Sequence, residues 1–476
     1  MKTLFITIET GFQARDLLRS EFFERLKKKD GLRVILLVPE RKLDYYRNNY
    51  QSGNVTVEPV PEKKAKTKLE TLAYFFGKSS ISSATIKIHH HRYLAADKNS
   101  SFIKKLAVFS GKRLFWYLGK LRLWREFVRW LFRLSASGRH YDEIFAKYQP
   151  DLIYAVNLLR FDEFRMIKRA KEKGIKTISY ILSWDNLNSK LFVFFKSDKY
   201  IVTTDFVKEE CLAMADVGPE DVAVVGVIKY DRYFKKEAVV SKEEFFKKIG
   251  CSMDKKLILY GLSSRNTSPN YNDVIEDMHD LSASGQIELP HQFMIRTYPK
   301  YALSEELIGK IKDWGMIYNQ PSEFWGGEEN WEIKREDDDF FTNLFYHSDL
   351  IITNYCTIVI EASIFDKPVI NINYDGHQKK KYLFSINRIR DYTHYRQIVA
   401  SGGERAANSK DELLQLINSY LKNPRQDATI SRGPSKKFFL TSACFARCHS
   451  SPPWACFTLS ASQSQNFFIL NPWHNF

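Results

Sequence analysis

With 476 residues, 44% of them hydrophobic and 27% charged, the chain holds enough apolar material for two or three full-sized cores and is too apolar to be disordered. A formal net charge of +16 at pH 7 favours anionic partners, namely nucleotides, anionic lipid or nucleic acid. No apolar run approaches the roughly 18 residues of a membrane span, the opening stretch is too short for a secretion signal and is closed by Glu9, and the 6 scattered cysteines fit a reducing cytosol.

The first half alternates short β-branched runs with amphipathic stretches. Strands are expected at 3–8, 34–38, 55–60, 151–155, 176–181, 199–203 and 222–225, and helices at 14–29, 141–148 and 163–173. Pro150 and Gly174 punctuate the last two helices. A charged stretch, 235–256, separates this half from a second series with strands at 257–260, 293–296, 350–353 and 369–372 and a late helix at 411–421. Strands alternating with helices imply parallel sheets covered on both faces. The fold class is therefore α/β, with two doubly wound, Rossmann-like domains over residues 1–240 and 241–424. Ligands of such sheets bind at the carboxyl ends of the strands, in a cleft between two such halves.

Two segments break the pattern. Residues 101–139 carry Lys104, Lys105, Lys112, Arg113, Lys120, Arg122, Arg125, Arg129, Arg133 and Arg139 against the lone acid Glu126. Leu114, Tyr117, Leu121, Trp124, Val128 and Leu131 recur at helical spacing beside a basic row of Arg122, Arg125, Arg129 and Arg133. A basic amphipathic helical insertion of this kind suits an anionic membrane surface, met through Lys112 to Arg133, or packs on its domain with solvated arginines. Phe115, Trp116, Phe127 and Trp130 exceed the needs of one packing stripe and favour the membrane. No nucleic-acid module is recognisable, so no nucleic-acid partner is expected. The second break is the tail, 425–476, where acids almost vanish and periodicity is lost; it reads as an aberrant or disordered terminus. Cys444, Cys448, His449 and Cys456 fit no standard zinc spacing.

Chemistry concentrates after residue 348. Leu350–Thr353 reads as a buried strand, Asn354, Tyr355 and Cys356 as a polar turn, and Thr357 as the cap of a helix running through Phe365. Backbone amides at such a start suit phosphate oxygens. Glu361 lies one turn further on the same face, where a carboxylate accepts hydrogen bonds from vicinal sugar hydroxyls; the alternative is an ordinary surface Glu. Asp337, Asp338 and Asp339 precede a helix at 340–347 and serve better as dipole-stabilising acids than as metal ligands. The run His89-His90-His91 reads as a surface strand end.

Four pieces in order, 183–190 (SWDNLNSK), 225–234 (VGVIKYDRYF), 293–300 (FMIRTYPK) and 349–368, together resemble a bacterial GT-B-type glycosyltransferase. The nearest groups are the CDP-glycerol glycerophosphotransferases and the transferases of surface polysaccharide synthesis. The resemblance covers about residues 1–424. It implies that the second domain holds the nucleotide-diphosphate donor, with no cofactor and no metal. Ser263, Ser264 and Arg265 then match the small polar loop facing the diphosphate, and Arg296 matches the Arg of an Arg-x-His-Pro element in which Tyr298 replaces the His. Asn354, Tyr355, Cys356 and Thr357 match the turn under the phosphates, and Glu361 the acid for ribose or sugar. On the acceptor side Glu9, Thr10 and Gly11 end the first strand, with Glu9 a candidate general base and Asp185 its rival. Trp184, Asp185 and Asn186 suit sugar stacking and hydroxyl binding, or form a structural Asx-type turn.

The resulting expectation is sugar transfer from a nucleotide donor to a hydroxyl of a surface glycan or lipid-linked precursor, in the cytoplasm, with peripheral attachment to the inner membrane face. Its rivals are a CDP-glycerol-type glycerophosphotransferase, a nucleotide-sugar 2-epimerase and a non-catalytic anionic-surface binding protein.

Overall fold

The computed structural model describes residues 1–61, 65–96, 101–156, 158–236, 238–324 and 331–427. The expected aberrant tail, with Cys444, Cys448, His449 and Cys456, lies from residue 428 onward outside them. The described chain divides into two compact units, at Asp231/Arg232 rather than at residue 240.

Unit 1 is built on seven strands: β1 (Lys2–Thr7), β2 (Leu32–Val38), β3 (Val55–Pro59), β4 (Leu152–Ala155), β5 (Lys176–Ile181), β6 (Lys199–Val202) and β7 (Val222–Val224). They lie parallel in the order β3-β2-β1-β4-β5-β6-β7. Successive residues of each strand face opposite sides. Phe5, Ile35 and Ile153 pack with Tyr141, Phe145 and Met166 on one face, while Leu4, Ile6, Val34, Leu36 and Tyr154 pack with Phe23 and Tyr46 on the other. Burial on both faces is why these strands read as continuous apolar runs rather than as alternation.

Unit 2 contains β8 (Lys256–Gly261), β9 (His291–Arg296), β10 (Ile317–Asn319), a short antiparallel pair β11 (Ser322–Phe324) and β12 (Trp331–Ile333), then β13 (Leu350–Thr353), β14 (Val369–Ile372) and β15 (Arg405–Ala407). Its six-stranded parallel sheet runs β10-β9-β8-β13-β14-β15. In both units the strand order turns back on itself beside the first strand, between β1 and β4 and between β8 and β13. Two doubly wound, Rossmann-like sheets are the GT-B-like architecture expected. The charged stretch after residue 235 is no linker: it includes the helix Lys242–Ile249, whose Phe245 and Phe246 are buried in unit 2.

Several local expectations are corrected. The single helix at 14–29 is a π-helical turn, Ala14–Leu18, followed by a separate helix, Glu21–Lys27, because the Ser20 side chain accepts from the Phe23 amide and starts a new helix. His89, His90 and His91 lie in the helix Ala84–Ala96, not at a strand end. The insertion is two helices, Phe102–Leu118 and Arg122–Ser135, separated at Gly119, where a β-carbon would meet the Ser80 carbonyl oxygen at 1.9 Å. They pack with a further helix, Lys68–Ser79, and with the turn after it, where Trp116 Nε1 donates to the Ser83 carbonyl (2.9 Å) and Trp124 Nε1 to Ser80 Oγ (2.7 Å).

The apolar stripe of Arg122–Ser135 faces the core as expected, with Val128 and Leu131 buried and Trp124 packed against them, but the basic row beside it does not lie in solvent. Arg125 and Arg129 are buried, not part of a solvated basic row. Both bond to Asp216, while Arg129 also donates to the carbonyls of Val193 and Met214. Leu123, Phe127, Trp130 and Leu134, at helical spacing, are exposed instead. Ile103, Leu106, Leu114 and Tyr117 of the preceding helix, and Leu69, Leu72 and Phe75 of Lys68–Ser79, are exposed as well. Of the aromatics singled out in the sequence, Phe115 stacks on Trp124 (5.5 Å), whereas Phe127 and Trp130 stack on each other at the surface (5.8 Å).

Candidate functional site

The crevice at the carboxyl ends of strands, where the strand order reverses, is where doubly wound sheets hold ligands. In unit 2 that point joins three adjacent strand ends, since Gly261 of β8 pairs with both Thr353 of β13 and Arg296 of β9. Gly261 allows close approach: a β-carbon there would lie 2.3 Å from Cδ1 of Ile358, the first residue of the helix Ile358–Ile364.

The loop after β8 is rich in hydroxyls. Ser263 Oγ shares hydrogen bonds with Thr267 Oγ1 (2.7 Å) and Ser268 Oγ (2.5 Å), and Ser264 Oγ with Thr267 Oγ1 (2.9 Å). Tyr301 Oη holds the Ser263 carbonyl (2.7 Å), and the buried Arg388 donates to the Asn266 carbonyl (3.2 Å). Arg265 is exposed, its guanidinium carbon 4.7 Å from the centre of the Tyr301 ring. Tyr298 is half-buried and packs against Tyr301 at 6.0 Å.

Arg296 faces a different partner from the one the resemblance implies. Its Nη1 and Nη2 donate to the two carboxylate oxygens of Asp337 (3.0 and 2.6 Å), and Nη1 also donates to Asn319. Both members are buried, and the guanidinium sits 4.4 Å from the Phe341 ring centre. In this arrangement Arg296 positions the end of β9 against the helix Asp337–His347. The other two acids of the triplet, Asp338 and Asp339, pair with Arg232 (3.4 and 3.2 Å).

At the end of β13, Thr357 has helical backbone angles (φ −63°, ψ −14°) and its side chain caps nothing. The expected cap fails because a capping side chain needs an extended backbone to reach the amides of the first turn. The chain enters the helix instead through Tyr355 in the left-handed region (φ 42°). That conformation is held from both ends: the Tyr355 amide donates to Asn371 Oδ1 (2.9 Å) and its hydroxyl to Asn373 Oδ1. Asn371 donates onward to Tyr395 Oη (2.8 Å), which donates to Glu404 Oε2 (2.6 Å). Burial pushes the Glu404 carboxyl up to about 7. Cys356 is a half-buried thiol 3.0 Å from Thr353 Oγ1. Glu361 is 3% exposed, which removes the surface-Glu alternative.

Asn354 is fully buried, and its Oδ1 accepts from Tyr260 Oη (2.6 Å). Its Nδ2 is buried with no hydrogen-bond partner among the described residues. An unsatisfied buried donor costs about 1–3 kcal/mol, and at a ligand crevice it marks a place for an acceptor atom.

In unit 1, Glu9 follows β1 at the corresponding reversal point. It is buried and ion-paired with Arg160 (2.5 Å). Thr10 and Gly11 open a short capping-box turn in which Gln13 Oε1 accepts from the Glu9 and Thr10 amides (2.8 and 3.0 Å). Asp185 lies two strands away, after β5: it accepts from Ser183 Oγ (2.7 Å) and pairs with Lys190. Trp184 packs against the core, its carbonyl accepting from Asn188 Nδ2 (3.1 Å), and Asn186 opens the π-helical turn Asn186–Lys190.

Sequence reading missed Glu210, on the helix Asp205–Ala215. Asn188 Nδ2 donates to both its carboxylate oxygens (3.0 and 3.1 Å), so Glu210 props the Asp185 turn from behind. Burial pushes its carboxyl up to about 8, with the charge of Asp185 adding to the shift. A carboxyl raised from 4.5 in this way stabilises the fold fully below that value and loses its contribution as pH climbs toward 8. Urea melts of the intact chain between pH 5 and 8 should show falling stability, and Glu210→Gln should flatten the slope. An equally steep slope in the variant would assign the dependence elsewhere.

No family model matches the chain. It is 29% identical over 167 residues to a processive diacylglycerol beta-glucosyltransferase of Bacillus licheniformis, covering 35% of this chain and 41% of that protein. To the enzyme of the same name from Bacillus pumilus it is 26% identical over 167 residues, covering 34% and 40%. The chain thus spans about two fifths of the length of these relatives. Among solved structures it resembles UDP-GlcNAc 2-epimerase from Neisseria meningitidis bound to UDP-GlcNAc, with a TM-score of 0.52 and 12% identity over 94% of this chain and 99% of that one. S. aureus MnaA solved with UDP gives 0.51 and 13% over 98% and 99%. At such identity the likeness establishes the fold, a GT-B-like pair of Rossmann-like domains.

Proposed function

We propose that this chain is a glycosyltransferase whose unit 2 binds a nucleotide-diphosphate sugar and whose unit 1 takes a lipid-linked acceptor, such as a diacylglycerol, at its hydroxyl. The observation that carries the reading is the buried, unpartnered Asn354 amide at the reversal point of the second sheet, beside the Ser263–Ser268 hydroxyls. A donor's phosphate or sugar oxygen satisfies that amide. Arg265 supplies positive charge to the departing diphosphate, a role that needs no metal, and Glu361 accepts from sugar or ribose hydroxyls. Partial similarity to two diacylglycerol glucosyltransferases supports both the reaction and the lipid nature of the acceptor.

The exposed stripe Leu123, Phe127, Trp130 and Leu134 supports an acceptor met at a membrane surface. Lys104, Arg122 and Arg133 are exposed on the same pair of helices and Lys120 in the turn between them, so apolar contact is combined with attraction to anionic lipid. No helix among the described residues is long and apolar enough to cross a membrane.

Calorimetric titration of UDP and UDP-sugars, followed by turnover on diacylglycerol-containing anionic vesicles, tests the proposal. Glu361→Gln and Asn354→Ser should each weaken donor binding roughly tenfold, the loss of one good hydrogen bond. Glycolipid formation only with acceptor present is the expected result. Conversion of free UDP-sugar without acceptor would transfer the site to the 2-epimerase reading, and consumption of CDP-glycerol to glycerophosphate transfer. Vesicle binding without any nucleotide binding would leave only a surface-binding protein.

A further inference from the structure

Unit 2 carries a second cluster of polar side chains that the sugar-transfer reading does not use. Asp273 and Glu276 stand three residues apart on the helix Tyr271–Ala283 and so share one face. His377 arrives from the loop after β14. One ligand atom from each of the three lies within 4.8 Å of the other two.

The approach of that loop is specific. Gly376 has φ +82°, and a β-carbon on it would fall 2.1 Å from Asp273 Oδ2. Only glycine therefore lets the loop pass so close to the carboxylate. The same oxygen accepts the His377 amide (2.9 Å), and Asn270 Nδ2, just ahead of the helix, donates to the Tyr374 carbonyl (2.7 Å).

Behind these three stands a buried carboxylate of the kind that orients a metal-binding imidazole. Asp277 Oδ1 lies 3.3 Å from His377 Nε2, and its Oδ2 accepts from Tyr374 Oη (2.8 Å). Histidines that bind metal are commonly held in this way, with the second ring nitrogen donating to a carboxylate that is itself hydrogen-bonded. Asp280 lies one turn further along the helix. Lys410 is the ammonium in contact with this group, at Asp277 (3.2 Å) and Asp280 (2.8 Å). The four carboxylates of Asp273, Glu276, Asp277 and Asp280 thus stand together, with Lys410 paired to two of them and Lys310 acting on Glu276 without contact.

We propose that Asp273, Glu276 and His377 bind a divalent transition-metal ion, with Asp277 as the residue that orients the histidine. Two carboxylates and one imidazole favour Zn²⁺ or Mn²⁺ over Ca²⁺ and Mg²⁺, which prefer all-oxygen sets. Half-buried acids and an exposed histidine leave room for water to complete the shell. The ion would tie the helix after β8 to the loop after β14. That role is structural and separate from the chemistry of transfer.

The test uses the full chain stripped with EDTA and titrated calorimetrically with Zn²⁺, Mn²⁺, Mg²⁺ and Ca²⁺. One Zn²⁺ or Mn²⁺ per chain is expected, with a rise in the thermal midpoint at ion concentrations roughly 100-fold above Kd and at most weak binding of the other two. His377→Ala and Glu276→Gln should abolish the saturable site. Asp277→Asn should weaken it roughly 10- to 100-fold, as loss of an outer-shell partner does. Transition metals also have a second candidate in His89, His90 and His91. Retained binding in His377→Ala with loss in a His89→Ala/His91→Ala double variant would overturn the proposal, as would absence of saturable binding in the parent chain. UDP titration of the same variants reads the donor site independently, so failure here leaves that reading intact.

Discussion

Asp216→Asn should destabilise unit 1 by about 3–5 kcal/mol, the usual consequence of removing one member of a buried ion pair and stranding the other. Here the Asp216 carboxylate bonds two buried guanidinia, one of which, Arg129, also pairs with Glu126 (2.8 Å). Arg125 reaches it with Nε at 2.9 Å and Nη2 at 2.5 Å, and Arg129 with Nη1 at 2.6 Å. Asparagine tolerates the left-handed backbone of residue 216 (φ 54°), so the substitution isolates charge from conformation. Burial alone would push the Asp216 carboxyl up; the hydrogen bonds from the two arginines outweigh it and hold the group below 3.8. A carboxyl lowered in this way stabilises the fold above that value and stops doing so as pH falls through its folded pKa. The parent chain should therefore lose stability in acid more steeply than Asp216→Asn. Urea unfolding followed by tryptophan fluorescence, with Trp124 and Trp130 as reporters, checks both statements. A change below about 1 kcal/mol, the scale of a surface pair, would mean the arginines have other support.

With Glu9 as the general base of the proposed transfer, Glu9→Gln should lower kcat roughly 100-fold or more while leaving UDP binding in place. Glu9 stands at the reversal point of the first sheet, which Asp185 does not. The Arg160 pair complicates the substitution, so Arg160→Gln is the control: equal losses in both variants would assign the effect to the ion pair. Near-parent turnover in Glu9→Gln together with collapse in Asp185→Asn would move the base to the second position.

Much of this architecture is legible in the chain because parallel strands buried on two faces announce themselves. The strand expected at 350–353 coincides with β13, and that at 369–372 with β14, from continuous β-branched runs alone. The strands β10 and β15 are three residues long and too short for any periodicity to show. The buried arginines of Arg122–Ser135 were hidden for a different reason. The stripe of Trp124, Val128 and Leu131 packs inward as its spacing implies, yet Arg125 and Arg129 beside it are buried too, which leaves Leu123, Phe127 and Trp130 outside. Asp216, far away in sequence, draws those two arginines inward. At the candidate site, the polar turn after β13 and the hydroxyl loop after β8 were legible from residue type. The commitment of Arg296 to Asp337 was not, because nothing in either residue's neighbourhood names its partner. Glu210 was invisible for the same reason: its environment comes from Asn188 on another segment.

Gly119 gives the outward-facing helices a further property. The backbone there meets Ser80 so closely that no side chain fits, and Arg125 Nη1 donates to the Gly119 carbonyl (2.7 Å), so the turn between the two helices is fastened at both ends. Many lipid-seeking peptides are unstructured coils in water and coil up only on arrival, forfeiting part of their adhesion to the entropy of ordering. On the membrane-facing reading proposed above, a plate whose helices are already bolted to a folded body has no such forfeit, so contact with a bilayer should leave its circular dichroism unchanged.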